Sequence, residues 1–369
     1  MPPLGLSAGM RKARDLGGRT LSLAFARPRM IVPAARYPAR PHDAILVLQR
    51  GENASTDYYL TPRLEGAEPS EVADIQSSPS RSRLLCTDSS RALFVILCRY
   101  VTPAWLNALE AVRDRLARVA FFMDDDLPGM MRDVSLPLAA RGKVARYFGD
   151  HVERLEGLVS EVWVSTTVLA ERYPEAHPAV IGPLPEADPP EPSLSPPRRV
   201  VYHGADVHGR ERRFVAEVAG QLAALSPDAE VEIAGDSALR KALRARENIT
   251  VTPQTPWRQY LDRQSGRQAA VSLAPLEPSA VNLARASVKV FDAARLGAAG
   301  IYADAEPYRR FVRHGVDGLL LPMDPTAWAE AIAGLLTQPE RRLELARAAR
   351  ARLLDLRRGV HSFPEPPPA

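Results

Sequence analysis

The residues best suited to chemistry lie in the hexapeptide Ser-Val-Lys-Val-Phe-Asp, which covers residues 287–292. Ser287 is predicted to cap a helix that begins at Val288, because a serine hydroxyl can accept a hydrogen bond from the first turn. The start of a helix offers N–H groups and a positive dipole to an anion, and Lys289 adds a full charge. Asp292 follows on the same face of that helix. The pattern fits a pyrophosphate at Lys289 with a sugar hydroxyl at Asp292, and it fits equally a Lys–Asp pair on the surface.

A glycine-containing loop offers a second set of ligand-binding side chains. It follows the apolar run at residues 199–202 and contains Gly204, His208 and Arg210. Gly204 would let a ligand approach the backbone closely, because glycine has no side chain. His208 and Arg210 could then contact a diphosphate or a sugar. The alternative is that the loop is a solvated turn between a strand and a helix.

Three consecutive aspartates, Asp124 to Asp126, follow the apolar run at residues 119–123. One hypothesis is a Mg²⁺ or Mn²⁺ site, because hard carboxylate oxygens hold these ions beside a nucleotide diphosphate. A second hypothesis is that Asp124 or Asp126 acts as a base that polarises an acceptor hydroxyl. The third is a capped, solvated turn.

These residues follow predicted strands of an α/β fold. From residue 41 onward, short apolar runs alternate with stretches of helical spacing, which predicts parallel strands joined by right-handed helical crossovers. Ligands bind beyond the carboxyl ends of strands in such sheets. The predicted strands are 44–48, 92–98, 119–123, 161–165, 199–202, 231–234, 249–251, 269–273 and 300–303. The predicted helices are 103–116, 144–158, 168–173, 212–225, 257–263, 288–296, 328–336 and 340–356.

Seven prolines among residues 183–197 interrupt this alternation and predict an extended, semi-rigid linker. The linker would separate a first α/β domain at 41–182 from a second at 198–356. Residues 1–40 are rich in arginine, and we expect a disordered extension or a weak contact with anionic lipid. Residues 357–369 are expected to form a loose tail.

Composition narrows the class of protein. Apolar residues make up 46% of the 369, which is enough for a large core. The net charge of +4 comes without interleaved aromatic and basic residues or zinc-ligand spacing, so no nucleic-acid partner is expected. Two cysteines, Cys86 and Cys98, predict a reducing, cytoplasmic compartment. No apolar stretch reaches the roughly 18 residues of a transmembrane helix.

One stretch resembles a known family closely. Residues 276–322 contain an Asn-x-x-Arg-x-x-x-Lys-x-x-Asp pattern, formed by Asn282, Arg285, Lys289 and Asp292, before the apolar run at 300–303. A Pro-Tyr-Arg-x-x-Val-x-His-Gly-x-x-Gly pattern follows at residues 307–318. Both are similar to the donor-binding region of GT-B nucleotide-sugar glycosyltransferases of the family 4, group 1 type. The loop of Gly204 and His208 and the Asp-Asp pair at residue 124 are also similar to segments of these relatives.

The resemblance implies two Rossmann-like, doubly wound α/β domains that face a cleft. The first domain would bind the acceptor, which could be a glycan, a lipid-linked molecule or a small molecule, and the second would bind the nucleotide sugar. No metal ion or cofactor is implied. The expected location is the cytoplasm, with a possible contact at the inner face of the membrane, and the expected process is polysaccharide biosynthesis. The catalytic candidates are Asp124, Asp126 and Lys289. The donor-binding candidates are Gly204, His208, Arg210, Asn282, Arg285, Ser287, Lys289 and Asp292.

The sequence departs from the family at one position of note. Most relatives have two glutamates eight residues apart, and the corresponding residues here are Ala284 and Asp292. Asp292 can still accept a ribose hydroxyl, whereas the role of the first glutamate would have to pass to Glu277 or Asn282. A binding protein without catalytic activity, or a nucleotide-sugar epimerase of the same fold, is the alternative function.

Overall fold

A computed structural model describes residues 22–23, 26–38, 40–67, 69–86, 90–185, 187–195, 197–204, 209–359 and 361–365. The described residues contain two sheets in which every neighbouring pair of strands is parallel. None of the helices among them is long and apolar enough to cross a membrane. The predicted α/β fold with two parallel sheets is confirmed.

The first sheet has the strand order β2-β1-β3-β4-β5-β6. Its central strands β1, β3 and β4 are buried along almost their whole length, as expected for parallel strands with helices on both faces. The strands are β1 Ala44–Gln49, β2 Ser70–Asp74, β3 Leu93–Cys98, β4 Leu116–Met123, β5 Glu161–Val164 and β6 Ala179–Val180.

The second sheet has the order β12-β11-β10-β7-β8-β9, which is the strand order of a Rossmann fold. Its strands are β7 Arg199–Tyr202, β8 Glu230–Ala234, β9 Ile249–Thr252, β10 Val271–Ala274, β11 Ala299–Ala303 and β12 Leu319–Leu321.

Helices connect the strands of both sheets. Those among and beside the strands of the first sheet are α1 Ala54–Tyr59, α2 Thr61–Leu64, α3 Arg83–Cys86, α4 Pro103–Ala111, α5 Leu127–Arg132, α6 Leu138–Tyr147, α7 Val152–Leu158 and α8 Thr167–Arg172. Those that accompany the second sheet are α9 Gly209–Leu225, α10 Ser237–Leu243, α11 Trp257–Gln264, α12 Ala280–Leu283, α13 Lys289–Arg295, α14 Glu306–Arg309, α15 Pro325–Thr337 and α16 Pro339–Arg358.

Two predicted helices are interrupted. The helix predicted at 103–116 ends at Ala111, because Leu116 already pairs with Leu93 as the first residue of β4. The helix predicted at 144–158 is divided into α6 and α7 around Gly149. A Cβ atom at Gly149 would lie 2.8 Å from the sulfur of Met131, so the chain passes too close there for a larger residue.

The contacts divide the chain into two units that are discontinuous in sequence. The first unit consists of Met1–Thr56, Arg63–Gly182 and Ser362–Ala369, and the second consists of Asp57–Pro62 and Pro183–His361. The short segment Asp57–Pro62 therefore belongs to the second unit, although it lies far from the rest of that unit in sequence.

The basic amino-terminal segment is ordered over much of its described length. Met30 and Ile31 are buried, and Tyr37 donates a hydrogen bond of 2.5 Å to the carbonyl of Leu158. Arg29 forms an ion pair with Glu156. The expectation of a disordered extension is therefore wrong for residues 26–38, because apolar side chains anchor them to the first unit. Residues 1–21 lie outside the described part.

The proline-rich segment 183–197 packs along α16 instead of standing free as a spacer. Its described carbonyl groups accept hydrogen bonds from arginines: Arg350 bonds to Pro189 at 2.8 Å, and Arg342 to Leu194 at 2.5 Å. Arg347 also pairs with the side chain of Glu191 at 3.0 Å. The described residues of this segment lie outside any helix or strand, so their carbonyl groups have no partner in a regular element, and the arginines of α16 donate to two of them.

The predicted loose tail at 357–369 is also partly ordered. Helix α16 continues to Arg358, and Phe363 then stacks on Trp163 with the ring centroids 5.4 Å apart. The carbonyl of Pro364 accepts a hydrogen bond from Arg118. The tail was predicted to be loose because of its prolines, but the half-buried ring of Phe363 packs against the buried Trp163 of the first unit.

Candidate active site

The strand order of the second sheet reverses between β7 and β10. Successive strands progress in one direction from β7 and in the other from β10, so the helices that follow them diverge. Ligands of open α/β sheets bind in the crevice that this divergence leaves beyond the carboxyl ends. His203 and Gly204 follow β7 directly, and the segment that leads to α13 follows β10. The structure thus brings two of the sequence-predicted segments together at this point.

Lys289 connects the two segments. Its Nζ donates a hydrogen bond of 2.6 Å to the backbone carbonyl of His203 and a second of 2.8 Å to Oδ2 of Asp292. About a third of the Lys289 side chain is exposed, whereas that of Asp292 is nearly buried. The predicted Lys–Asp pair exists, and it is held at the switch point of the sheet.

Ser287 does not cap this helix with its hydroxyl. Helix α13 begins at Lys289, and the preceding Val288 already has helical backbone angles of φ −59° and ψ −19°. The backbone carbonyl of Ser287 accepts the N–H of Val290 at 3.0 Å. The predicted side-chain cap is wrong because the turn starts from this carbonyl, and Ser287 itself is buried.

Asp292 lies at the centre of a buried polar group. Its Oδ1 accepts the hydroxyl of Tyr58 at 2.5 Å and lies 3.5 Å from Arg295, while its Oδ2 faces Lys289. Burial acts to raise the pKa of this carboxyl, but Lys289 and Arg295 outweigh it and hold the pKa below its usual range. Asp292 is therefore ionised at neutral pH and compensated by two cations.

The partner Tyr58 comes from the segment Asp57–Pro62 of the same unit. Its ring contacts those of Trp257 and Phe291, with centroids 5.9 and 5.5 Å away. The Nε1 of Trp257 donates to Asp57 at 2.5 Å. Tyr58 was not identified from the sequence, because no local pattern connects it to a helix 234 positions later.

A second charged group supports His203. Its Nε2 lies 3.0 Å from Glu232 and its Nδ1 lies 3.1 Å from the hydroxyl of Tyr260. Glu232 also pairs with Arg199 at 3.0 Å and Arg267 at 3.2 Å. Burial would raise the pKa of Glu232, but hydrogen bonds from His203 and Arg199 lower it to about 2. This group was not predicted from the sequence, although Arg199 and Glu232 inside two predicted strands were a signal.

Two of the other donor-binding candidates lie at the same sheet edge. The carbonyl of Gly204 accepts a hydrogen bond of 2.8 Å from Nε2 of Gln254. A Cβ atom on Gly204 would collide with the hydroxyl of Tyr202. Arg210 is exposed in the first turn of α9. His208 lies outside the described residues.

Asn282 and Arg285 are close to the start of α13. Asn282 donates to the carbonyl of Glu277 at 2.8 Å, so its side chain is tied to its own loop. Arg285 is half-buried and lies near Tyr308. Burial raises the pKa of the Tyr308 hydroxyl, and the positive charge of Arg285 acts to lower it. Ala284 is fully buried. A buried alanine thus occupies the position at which the family resemblance implies a glutamate.

The three aspartates of the first unit have different surroundings. Asp126 caps α5 by accepting the N–H of Gly129 at 2.8 Å, and it also binds Arg172 and the hydroxyl of Tyr173. Asp124 accepts the hydroxyl of Ser55 at 2.6 Å. Because Asp126 is turned into its own helix, the aspartates do not converge on one point as metal ligands would.

Arg99 joins the other two aspartates. Its Nη1 lies 3.3 Å from Asp124 and 3.4 Å from Asp125. Its backbone φ of 65° is in the left-handed region, which is uncommon for a residue with a side chain. Burial raises the pKa of the Asp124 carboxyl above its usual range, although Arg99 opposes the shift. Among the described residues no cluster of three or more His, Cys, Asp or Glu side chains could hold a metal ion.

Comparison with known proteins finds similarity to glycosyltransferases. The family described as Glycosyl transferases group 1 matches residues 197–338. The solved structure of HepE of Anabaena in complex with UDP-glucose is 15% identical in sequence to this chain. The matched region covers 85% of this chain and 95% of HepE, with a TM-score of 0.53. Sucrose-phosphate synthase of Thermosynechococcus elongatus is 16% identical and covers 85% and 94%, with a TM-score of 0.55. TarM of S. aureus is 10% identical and covers 71% and 52%, with a TM-score of 0.50. No curated protein sequence matches the chain significantly.

The family match lies over the second sheet and contains Lys289, Asp292 and His203. The similarity to the solved structures shows the fold, and it confirms the predicted GT-B architecture of two parallel six-stranded sheets. Residues 197–338 match the family of group 1 glycosyl transferases, and the chain has the GT-B fold of the solved structures.

Proposed function

We propose that the protein transfers a sugar from a nucleotide-sugar donor, bound by the second unit, to a glycan, lipid-linked or small-molecule acceptor, bound by the first. The observation that carries the proposal is the position of Lys289. Its ammonium group lies at the switch point of a group 1 glycosyltransferase domain and is held there by Asp292 and the His203 carbonyl.

Lys289 would stabilise the departing diphosphate. Negative charge grows on that group as the bond to the sugar breaks, and a preorganised cation stabilises it most in the transition state. Arg285, Arg210 and the backbone beside Gly204 lie on the same sheet edge and would bind the rest of the diphosphate. Asn282, Ser287 and the undescribed His208 remain donor-binding candidates.

Asp292 would bind a ribose hydroxyl of the donor. In the free protein the hydroxyl of Tyr58 occupies Oδ1 of Asp292. Donor binding would exchange one hydroxyl for another on this oxygen, and Lys289 would keep its hold on Oδ2 throughout.

Asp124 is the better candidate for the acceptor-side base. Its raised pKa favours proton uptake, whereas both oxygens of Asp126 already hold structural partners. In the proposed step the acceptor oxygen bonds to the anomeric carbon and its proton passes to Asp124. The bond from that carbon to the diphosphate breaks, and the diphosphate leaves with the electron pair.

No metal ion or other cofactor is needed in this scheme, because cationic side chains neutralise the diphosphate. A cytoplasmic location is proposed, since Cys86 and Cys98 are both free thiols. The solved structures of HepE with UDP and UDP-glucose make uridine nucleotides the first donors to test.

The test is a thermal-shift screen of the full chain against nucleotide sugars, followed by a transfer assay in excess chelator. A true donor should raise the unfolding temperature by mass action. Activity should persist with chelator, and Lys289→Met should lower kcat and kcat/KM together. If no nucleotide sugar binds, the proposed donor function is wrong. If chelator abolishes transfer and Mn²⁺ restores it, the metal-independent scheme is wrong.

A further inference from the structure

A second group of charged side chains lies in the first unit, apart from the donor residues. The order of the first sheet also reverses, between β1 and β3. Arg50 follows β1 directly, and Arg99 and Tyr100 follow β3. The switch point of this sheet therefore carries two arginines and a tyrosine, where an open α/β sheet binds its ligand.

Helix α6 adds two more cations and a second aromatic ring. The rings of Tyr100 and Tyr147 meet with centroids 6.2 Å apart. Arg50 and Arg146 lie 5.0 and 5.6 Å from the centroid of Tyr147. Around Tyr100, Arg99 lies at 5.3 Å and the ammonium of Lys143 at 5.2 Å. All four cations are within the range of favourable cation–π contact.

Carboxylates compensate Arg99, whose Nη1 lies 3.3 Å from Asp124 and 3.4 Å from Asp125. Arg50 has no carboxylate partner among the described residues, so an anion beside it would balance its charge.

Arg50 is the cation most available to a ligand. Its Nε is buried and has no hydrogen-bond partner, and among the described residues its guanidinium forms no ion pair. The guanidinium lies against the ring of Tyr147, which orients it without accepting its N–H groups in conventional hydrogen bonds. A buried arginine N–H is costly to leave unpaired, so this guanidinium is well suited to donate hydrogen bonds to the oxygen atoms of a ligand.

From this arrangement we infer that the acceptor is anionic and that Arg50, oriented by Tyr147, binds its phosphate or carboxylate group. The inference rests on the proposed function, since it takes the first unit as the acceptor-binding unit. A planar guanidinium binds both groups through paired hydrogen bonds. The acceptor hydroxyl would then lie toward Asp124, whose partner Arg99 belongs to the same group.

The experiment measures binding of three small probes to the full chain by calorimetry, with UDP present at saturation so that the donor site is occupied. The probes are glucose 6-phosphate, glucuronate and neutral glucose. We expect at least one charged probe to bind roughly tenfold more tightly than glucose, and the two charged probes distinguish phosphate from carboxylate. Arg50→Gln should remove that preference and leave UDP binding unchanged.

The matched control is Arg113→Gln, which removes an arginine that lies 5.6 Å from the ring of Tyr37, before the amino end of β4. It changes the same kind of contact without touching the switch point, and it should bind all probes as the parent does. Equal binding of the three probes, or equal behaviour of the two variants, would overturn the inference. If UDP does not bind to the parent, the nucleotide found in the thermal-shift screen takes its place; absence of binding by any nucleotide would show that the proposed donor function has failed.

Discussion

Replacing Asp292 by asparagine tests whether its buried charge holds Lys289 and Arg295 in place. Asparagine has the same shape and can still accept the hydroxyl of Tyr58, but it lacks the charge that the two cations face at 2.8 and 3.5 Å. Removing one partner of a fully buried ion pair costs about 3–5 kcal/mol. Because the Lys289 and Arg295 side chains are 34% and 23% exposed, solvent reduces this cost to about 2 kcal/mol.

The assay is thermal and urea unfolding of parent and variant at pH 7. A loss of about 2 kcal/mol corresponds to a fall in unfolding temperature of roughly 4–8 °C. Nucleotide-sugar affinity should fall as well, by about tenfold, because a charged hydrogen bond to ribose is lost.

Acidification gives an independent measurement of the same charge. The pKa of Asp292 is lower in the folded protein than in the unfolded chain, so its stabilisation is complete above the unfolded pKa and disappears as pH falls through the folded one. The difference in stability between parent and Asp292→Asn should therefore shrink as the pH is lowered.

The matched variant is Tyr58→Phe, which removes one hydrogen bond to Asp292 and keeps the ring contacts and both cations. It should cost less stability than Asp292→Asn. If Asp292→Asn unfolds at the temperature of the parent, or if Tyr58→Phe is the more damaging change, the charge of Asp292 does not organise this group.

Further predictions concern the remaining buried groups. Glu232→Gln should lower the free energy of unfolding at pH 7 by about 3 kcal/mol, measured by urea unfolding. The difference between parent and variant should shrink as the pH falls towards about 2, because the carboxylate of the parent then becomes protonated and loses its charge. Gly129→Ala should lower the unfolding temperature, because the new methyl group would collide with the capping carboxylate of Asp126. The control Gly157→Ala places a methyl group in open space and should be neutral or stabilising. Equal effects of the two changes in calorimetry would contradict this account. Phe363→Ala removes a half-buried ring and should destabilise the first unit by about 1–2 kcal/mol in urea unfolding; an unchanged transition would mean that the stacked ring adds nothing.

Local patterns in the sequence were sufficient for most of the fold. Buried strands such as β3 are continuous apolar runs, and their helices have clear spacing, so the alternation of elements was predictable. Three strands at the sheet edges were missed: β2 is half-buried and polar, and β6 and β12 are only two and three residues long. Lys289 and Asp292 were found as a pair because both lie within one turn of a helix.

Contacts between distant segments could not be predicted from a single sequence. Tyr58 and Asp292 are 234 positions apart in the sequence, and no pattern around either residue predicts that the two are in contact. Glu232, Arg199 and His203 come from neighbouring strands, and their meeting depends on strand order and register. The proline-rich segment was taken for a spacer because the arginines that bind its carbonyl groups belong to a helix more than a hundred residues later.

The interleaving of the two units has a consequence for how the chain acquires its structure during synthesis. Tyr58 can form its contact with Asp292 only after the ribosome has added another 234 residues. Arg118 can bond to the carbonyl of Pro364 only after another 246 residues. Partly made chains must therefore carry exposed aromatic surface, which favours aggregation and chaperone binding. For the same reason, a protein divided at residue 182 would yield two fragments that each lack a piece of their own core, and joint production of both fragments should recover more folded protein than either one alone.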